Sequence, residues 1–216
     1  FLNKLEDNYK NNINFSNLSG LLSQSMNEFE DARIFYLKAL DLDKENQETN
    51  FNIAILNYKQ KKYFESETLF NYLINKDPNN PLYHYNLGII KLDTNEVNSA
   101  IISFGYACNL DSNFYYARHH LAEAYEKINN FNLAILNYNK AQSININRLN
   151  NTLNNLGNIF LKLKDYQSAQ KYFTNSLNYI GDKSIVYNNL AALNLEIGNV
   201  DEALDFLYKA IELNKS

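Results

Sequence analysis

Three histidines and one cysteine are the side chains of this 216-residue chain best suited to metal binding or nucleophilic chemistry. His119 and His120 are adjacent, and neighbouring residues of a helix point about 100° apart, so the two rings cannot bind one ion together. A metal site that combines His84 with one of them is the alternative to a role in packing and hydrogen bonding. Cys108 is the only cysteine, which excludes an intrachain disulfide and a thiolate metal site.

The chain also lacks the sequence patterns of common catalytic sites. It contains no phosphate-binding glycine loop, no His-Glu-x-x-His and no Gly-x-Ser-x-Gly. Catalysis requires a nucleophile or an acid–base pair in a concave site, and no such constellation is visible. We therefore expect a protein that is not an enzyme and that needs no metal or cofactor.

Charge and hydropathy exclude further classes of partner. The net charge is −4 and no cluster of Lys and Arg is present, whereas a protein that follows nucleic-acid phosphates needs a basic face. We expect no nucleic-acid partner. No run of 18 apolar residues occurs, so we expect no membrane insertion. The lack of a visible signal peptide favours a cytoplasmic location.

One pattern recurs about every 34 residues along the whole chain. A small residue stands at one phase of the pattern: Ala32, Ser66, Ala100, Ala134, Ala169 and Ala203. A large apolar residue follows four positions later in each case: Tyr36, Phe70, Phe104, Tyr138, Phe173 and Leu207. A fixed period of this length indicates a solenoid built from stacked repeats.

Each repeat contains two apolar-periodic stretches of about a dozen residues, which is the usual length of a globular helix. In the third repeat these stretches cover about 82–92 and 97–110. We therefore predict an all-α solenoid of stacked helix-turn-helix repeats. The six repeats are 13–46, 47–80, 81–114, 115–148, 150–183 and 184–216, with Leu149 as an insertion and 1–12 as the tail of a preceding repeat.

These residues resemble the tetratricopeptide repeat, in which Leu-Gly, as in Leu87-Gly88, is followed by Ala, an aromatic residue, Ala and Pro. Only the second repeat keeps the terminal proline, as Pro78. The resemblance implies a right-handed superhelix whose concave groove is lined by the first helix of each repeat and binds a peptide or a partner helix. Positions 2, 5, 9 and 12 of that helix would face the groove.

The groove residues of this chain change character along the array, from apolar and aromatic to amide-rich. They are Phe51, Ile55, Tyr58, Tyr85, Ile89, Tyr116, His119, Glu123, Asn151, Asn154, Asn158 and Asn188. This order suits a ligand segment with an apolar anchor and an extended tail. The alternative is that the aromatic residues pack against neighbouring helices.

A second resemblance concerns the residue before each Leu-Gly position. This set is similar to the asparagine ladder in the repeats of O-linked N-acetylglucosamine transferases, and it comprises Asn52, Asn86, His120, Asn155 and Asn189. A side-chain amide in each repeat can donate to and accept from a peptide backbone. The alternative is that Asn is simply abundant throughout this chain.

Three hypotheses about function follow. The first is a non-catalytic scaffold that binds a protein or peptide partner in the groove. The second is a substrate-recognition domain of a larger enzyme such as a glycosyltransferase. The third is a structural array that self-associates weakly through Leu204, Leu207 and Ile211 of the C-terminal helix, with Leu2 and Leu5 at the opposite end.

Overall fold

The structure is a computed structural model and describes residues 12–214. Within this range the chain forms twelve α-helices, one short 3-10 helix at Ile146–Arg148 and no β-strand. The helices pack consecutively as helix-turn-helix pairs. The predicted all-α solenoid of stacked helix-turn-helix repeats is therefore confirmed, and the last helix of the third repeat has the predicted bounds.

The chain divides into two compact units between Leu110 and Asp111. The N-terminal unit contains α1 (Ile13–Ser25), α2 (Phe29–Leu42), α3 (Gln47–Lys59), α4 (Tyr63–Lys76), α5 (Pro81–Asp93) and α6 (Val97–Leu110). The C-terminal unit contains α7 (Tyr115–Lys127), α8 (Phe131–Ile144), α9 (Leu149–Lys162), α10 (Tyr166–Ser176), α11 (Lys183–Glu196) and α12 (Val200–Asn214).

Each predicted repeat holds one helix pair, and α9 begins at Leu149, the residue assigned as an insertion. The predicted tail of a preceding repeat falls almost entirely on residues 1–11, which lie outside the described residues, as do Leu2 and Leu5. Asn12 is described and caps α1, because its side-chain oxygen accepts a hydrogen bond from the backbone N–H of Phe15 at 3.0 Å.

Small residues of the first helix in a pair pack directly on large residues of the second. Gly20, Gly88 and Gly157 lie against the rings of Tyr36, Phe104 and Phe173, which are fully buried. Ala54, Ala122 and Ala191 occupy the same place in the other three repeats and are almost completely buried. The recurrent small residue therefore sets how closely the two helices approach.

The turn inside each pair contains one residue with a left-handed backbone. These residues are Asn27 (φ 63°), Lys61 (φ 59°), Asn95 (φ 64°), Asn129 (φ 57°), Lys164 (φ 60°) and Gly198 (φ 88°). A left-handed residue directly after a helix is the usual way to end the helix and satisfy its last carbonyl groups. The backbone conformation of this turn therefore recurs in every repeat. In two repeats a lysine, Lys61 or Lys164, adopts the left-handed conformation, which glycine and asparagine adopt more readily.

Candidate functional site

The first helices of the three pairs in the C-terminal unit share one pocket of about 380 Å³. Side chains of α7, α9 and α11 line it, together with the residue before α11. We call it the amide pocket, and its lining residues are His119, Glu123, Asn150, Asn151, Asn154, Asn155, Asn158, Asp182, Ile185 and Asn189.

Asparagine side chains of α9 give the amide pocket unused hydrogen-bonding capacity. Asn154 is only 7% exposed, and its side-chain oxygen accepts a hydrogen bond from Nδ2 of Asn189 at 2.9 Å. Its own Nδ2 makes no hydrogen bond to residues 12–214, and neither do the side chains of Asn151 and Asn158. The Asn154 N–H group is therefore available to a ligand.

Contacts from two helices fix the ring of His119. Its Nδ1 lies 3.4 Å from the hydroxyl oxygens of both Tyr115 and Thr152, and its Nε2 lies 3.3 Å from Oε1 of Glu123. A carboxylate can only accept, whereas a hydroxyl group can donate to Nδ1. Nδ2 of Asn155 also lies 3.5 Å from Nε2. In the tautomer with its proton on Nε2, the ring donates to Glu123.

Both carboxyl groups of the amide pocket are ionised at neutral pH. Burial of Glu123 raises its pKa, but the hydrogen bond from His119 and the nearby basic groups together outweigh burial, and the pKa is lower than usual. The hydroxyl and backbone N–H of Ser184 donate to Asp182 at 2.6 and 2.9 Å and lower the pKa of Asp182. The pocket consequently holds two negative charges.

The predicted apolar groove residues lie in the N-terminal unit and are half-buried. Phe51, Ile55 and Tyr58 pack against the core cluster that includes Phe70 and Tyr83. The Phe51 ring lies 5.8 Å from that of Phe70 and 5.9 Å from that of Tyr83, measured between centroids. Packing thus occupies much of the Phe51 ring, and its role as a ligand anchor stays a prediction.

Polar or ring contacts engage other members of the predicted groove. The Tyr58 hydroxyl donates to Oδ2 of Asp93 at 2.6 Å. Tyr85 lies 5.9 Å from Phe104 between ring centroids, and Ile89 is half-buried. In the C-terminal unit, the exposed Tyr116 hydroxyl accepts a hydrogen bond from Arg148 at 2.8 Å.

The predicted asparagine ladder does not form one uniform row of amides. Asn86 donates to the Leu82 carbonyl of its own helix at 2.7 Å, and His120 contacts the Tyr116 carbonyl at 2.8 Å. Asn52 is buried, and no residue in the described part of the chain bonds its Nδ2. Asn155 and Asn189 line the amide pocket. A role in holding a peptide backbone thus rests on these two members.

The described residues contain neither a candidate metal site nor a candidate membrane-spanning helix. Among residues 12–214, no group of three or more His, Cys, Asp or Glu side chains is arranged to hold a metal ion. No helix in the same range is long and apolar enough to cross a membrane.

Comparison with protein families explains the repeated architecture. Models described as tetratricopeptide repeat match residues 14–46, 115–145 and 148–216, which together make up more than half of the chain. The chain belongs to the tetratricopeptide repeat family. A search among curated proteins found no match.

Solved structures share the tetratricopeptide repeat fold at low sequence identity. The structure of pilF from Pseudomonas aeruginosa is 15% identical, with a TM-score of 0.78 over 90% of this chain and 88% of that chain. The Cut9–Hcn1 hetero-tetramer of APC/C is 16% identical, with a TM-score of 0.79 over 99% of this chain and 42% of that chain. YrrB, described as a TPR protein with an unusual peptide-binding site, is 18% identical, with a TM-score of 0.65 over 85% of this chain and 94% of that chain.

Seven of the ten pocket residues are among those predicted from sequence, whereas Asn188 is exposed and is not among the lining residues. Sequence reasoning missed Asn150, Asp182 and Ile185. Asp182 could have been found, because an Asp two residues before Ser184 at a tetratricopeptide repeat boundary is a typical helix N-cap. Asn150 had no such signal. It is 2% exposed and donates to the Ser176 carbonyl at 2.9 Å.

Proposed function

We propose that the protein is a non-catalytic interaction scaffold whose amide pocket binds an extended segment of a partner protein. The observation that carries the proposal is Asn154, a pocket-lining residue that is 7% exposed and whose Nδ2 has no hydrogen-bond partner among residues 12–214. A ligand acceptor in the pocket would satisfy this donor.

The spacing of the pocket amides favours an extended peptide. Asn151, Asn154 and Asn158 are three and four residues apart and therefore lie along one face of α9. Each amide offers two donors and an acceptor. A peptide in extended conformation presents alternating N–H and C=O groups that such a row can bind irrespective of the peptide's side chains.

The family assignment supports this proposal in a general way. Tetratricopeptide repeats are modules of protein interaction, and YrrB is described as having a peptide-binding site. The concave face of a repeat solenoid is a surface such modules use for binding.

Selection from a displayed library of random twelve-residue peptides would test the proposal. We expect the 216-residue protein to enrich specific peptides, and the Asn154→Ala, Asn158→Ala double variant to bind them at least tenfold more weakly. The matched control is Asn139→Ala, because Asn139 is an exposed asparagine of α8 outside the pocket. Unchanged affinity in the double variant would rule out the amide pocket as the binding site.

A further inference from the structure

The carboxylates of Glu123 and Asp182 in the amide pocket influence which peptides it would bind. We infer that the pocket selects peptides that present a Lys or Arg side chain to Glu123. This inference rests on the proposed function, because it concerns the ligand of the same pocket.

Glu123 has acceptor capacity that the protein leaves unused. Its Oε1 accepts from Nε2 of His119 at 3.3 Å. Its Oε2 lies 3.8 Å from Nε2 of His120, which is longer than a hydrogen bond. A carboxylate offers about four acceptor positions, and its charge in a partly buried site favours a cationic donor over a neutral one.

His120 makes a hydrogen bond within its own helix. Its Nδ1 lies 2.8 Å from the carbonyl oxygen of Tyr116. A carbonyl oxygen only accepts, so Nδ1 carries a proton and donates to Tyr116. A donor from a ligand ammonium or guanidinium group complements this side of Glu123.

The other charged residues in and near the pocket also favour a basic ligand. Asp182 adds a second carboxylate, whose Oδ1 accepts from Ser184, and no Lys or Arg is among the lining residues. Lys162 lies on α9 but binds Oε1 of Glu126 at 2.7 Å. Lys127 acts on Glu123 from the same helix but does not line the pocket. The field inside the pocket therefore opposes an acidic ligand and favours a basic one.

The buried amide of Asn154 provides a separate indication of a ligand at this place. It lines the same pocket as Glu123 and has an unpaired Nδ2 with respect to residues 12–214. An extended segment bound to the asparagines through its backbone would carry its side chains towards the pocket walls, one of which holds Glu123.

The test compares peptide libraries selected on the wild-type protein and on Glu123→Gln. We expect wild-type selection to enrich Lys or Arg at one position, and Glu123→Gln to select peptides without that preference. Gln keeps the acceptor for His119 but removes the charge, so the fold should survive. The matched control is Glu202→Gln, an exposed residue of the first turn of α12, which should retain the preference.

A second measurement does not depend on any variant of the protein. A selected peptide is synthesised with its Lys and with Gln in the same place, and both are titrated against the wild-type protein by calorimetry. We expect the Lys peptide to bind about tenfold to 100-fold more tightly, as for a hydrogen bond to a charged group, and the difference to disappear in Glu123→Gln.

The outcomes separate this inference from the proposed function. Selected peptides without a basic preference, or with a preference that persists in Glu123→Gln, would overturn the role of Glu123 and leave peptide binding intact. Failure to enrich any peptide would overturn the proposed function itself.

Discussion

Gly88 lies directly against the ring of Phe104, so that a Cβ atom at residue 88 would come within 2.6 Å of two ring atoms. The backbone of α5 therefore touches the buried aromatic residue of α6 without an intervening side chain. Ala54 stands in the equivalent position opposite Phe70. The second repeat thus has room for the methyl group of Ala54, whereas the third repeat packs so closely that no Cβ atom fits at Gly88.

Gly88→Ala should lower the free energy of unfolding by about 1–3 kcal/mol, because the buried Phe104 ring has to move. Gly105→Ala is the matched control. It lies in α6, and a Cβ atom there would meet nothing within 4 Å, so the substitution should stabilise by about 0.5–1 kcal/mol. Urea denaturation measures both changes. If both substitutions change the free energy of unfolding in the same direction, the contact between Gly88 and Phe104 is not tight.

Lys164→Gly should raise the free energy of unfolding by about 0.5–1 kcal/mol. Lys164 adopts φ 60° in the turn between α9 and α10, and a left-handed conformation is unfavourable for a residue with a Cβ atom. The control is Lys171→Gly, at an exposed position inside α10, which should destabilise by about 1 kcal/mol. Thermal unfolding compares the two variants, and a loss of stability in Lys164→Gly would contradict the role assigned to the turn.

Asp182→Asn should make the unfolding free energy less dependent on acidic pH. The folded-state pKa of Asp182 is lower than usual because Ser184 donates to the carboxylate. The ionised cap therefore stabilises the fold above the ordinary pKa of about 4, and this stabilisation is lost as the pH falls through the folded-state pKa. Denaturation at pH 6 and pH 3 measures the difference. If wild type and variant lose the same free energy of unfolding between pH 6 and pH 3, the ionised Asp182 does not stabilise the fold as a cap.

The C-terminal helix should mediate weak self-association. Leu204 and Ile211 of α12 are 46% and 48% exposed, and burial of apolar surface gains about 25 cal/mol per Å². Leu204→Glu with Ile211→Glu should shift sedimentation at high protein concentration towards the monomer. Leu136→Glu, at a comparably exposed leucine of α8, should leave it unchanged. A wild-type protein that stays monomeric at millimolar concentration would refute the prediction.

Asparagine shows where sequence reasoning underestimated a residue type. Its abundance suggested that individual asparagines carry little information. In the structure, Asn46, Asn80 and Asn130 cap helices through their side-chain oxygens, since Asn is among the best N-cap residues. Capping positions were therefore readable from the spacing of Asn before each apolar-periodic stretch.

The sequence by itself determined the all-α repeat fold. Helix periodicity and the alternation of small and aromatic residues, as in Gly157 and Phe173, are local and recur every 34 residues or so. They identify the helices, the buried faces and the family, because each repeat buries the same positions against its neighbours.

Only the tertiary structure decided which polar residues act together. Glu123 and Asp182 are 59 positions apart, yet they line one pocket with Asn154 between them on α9. Periodicity assigns a residue to a helix face, but it does not determine the depth of a side chain or its partner on another helix. Those depend on how neighbouring helices pack, as for Asn150, which is buried and donates to the Ser176 carbonyl of α10.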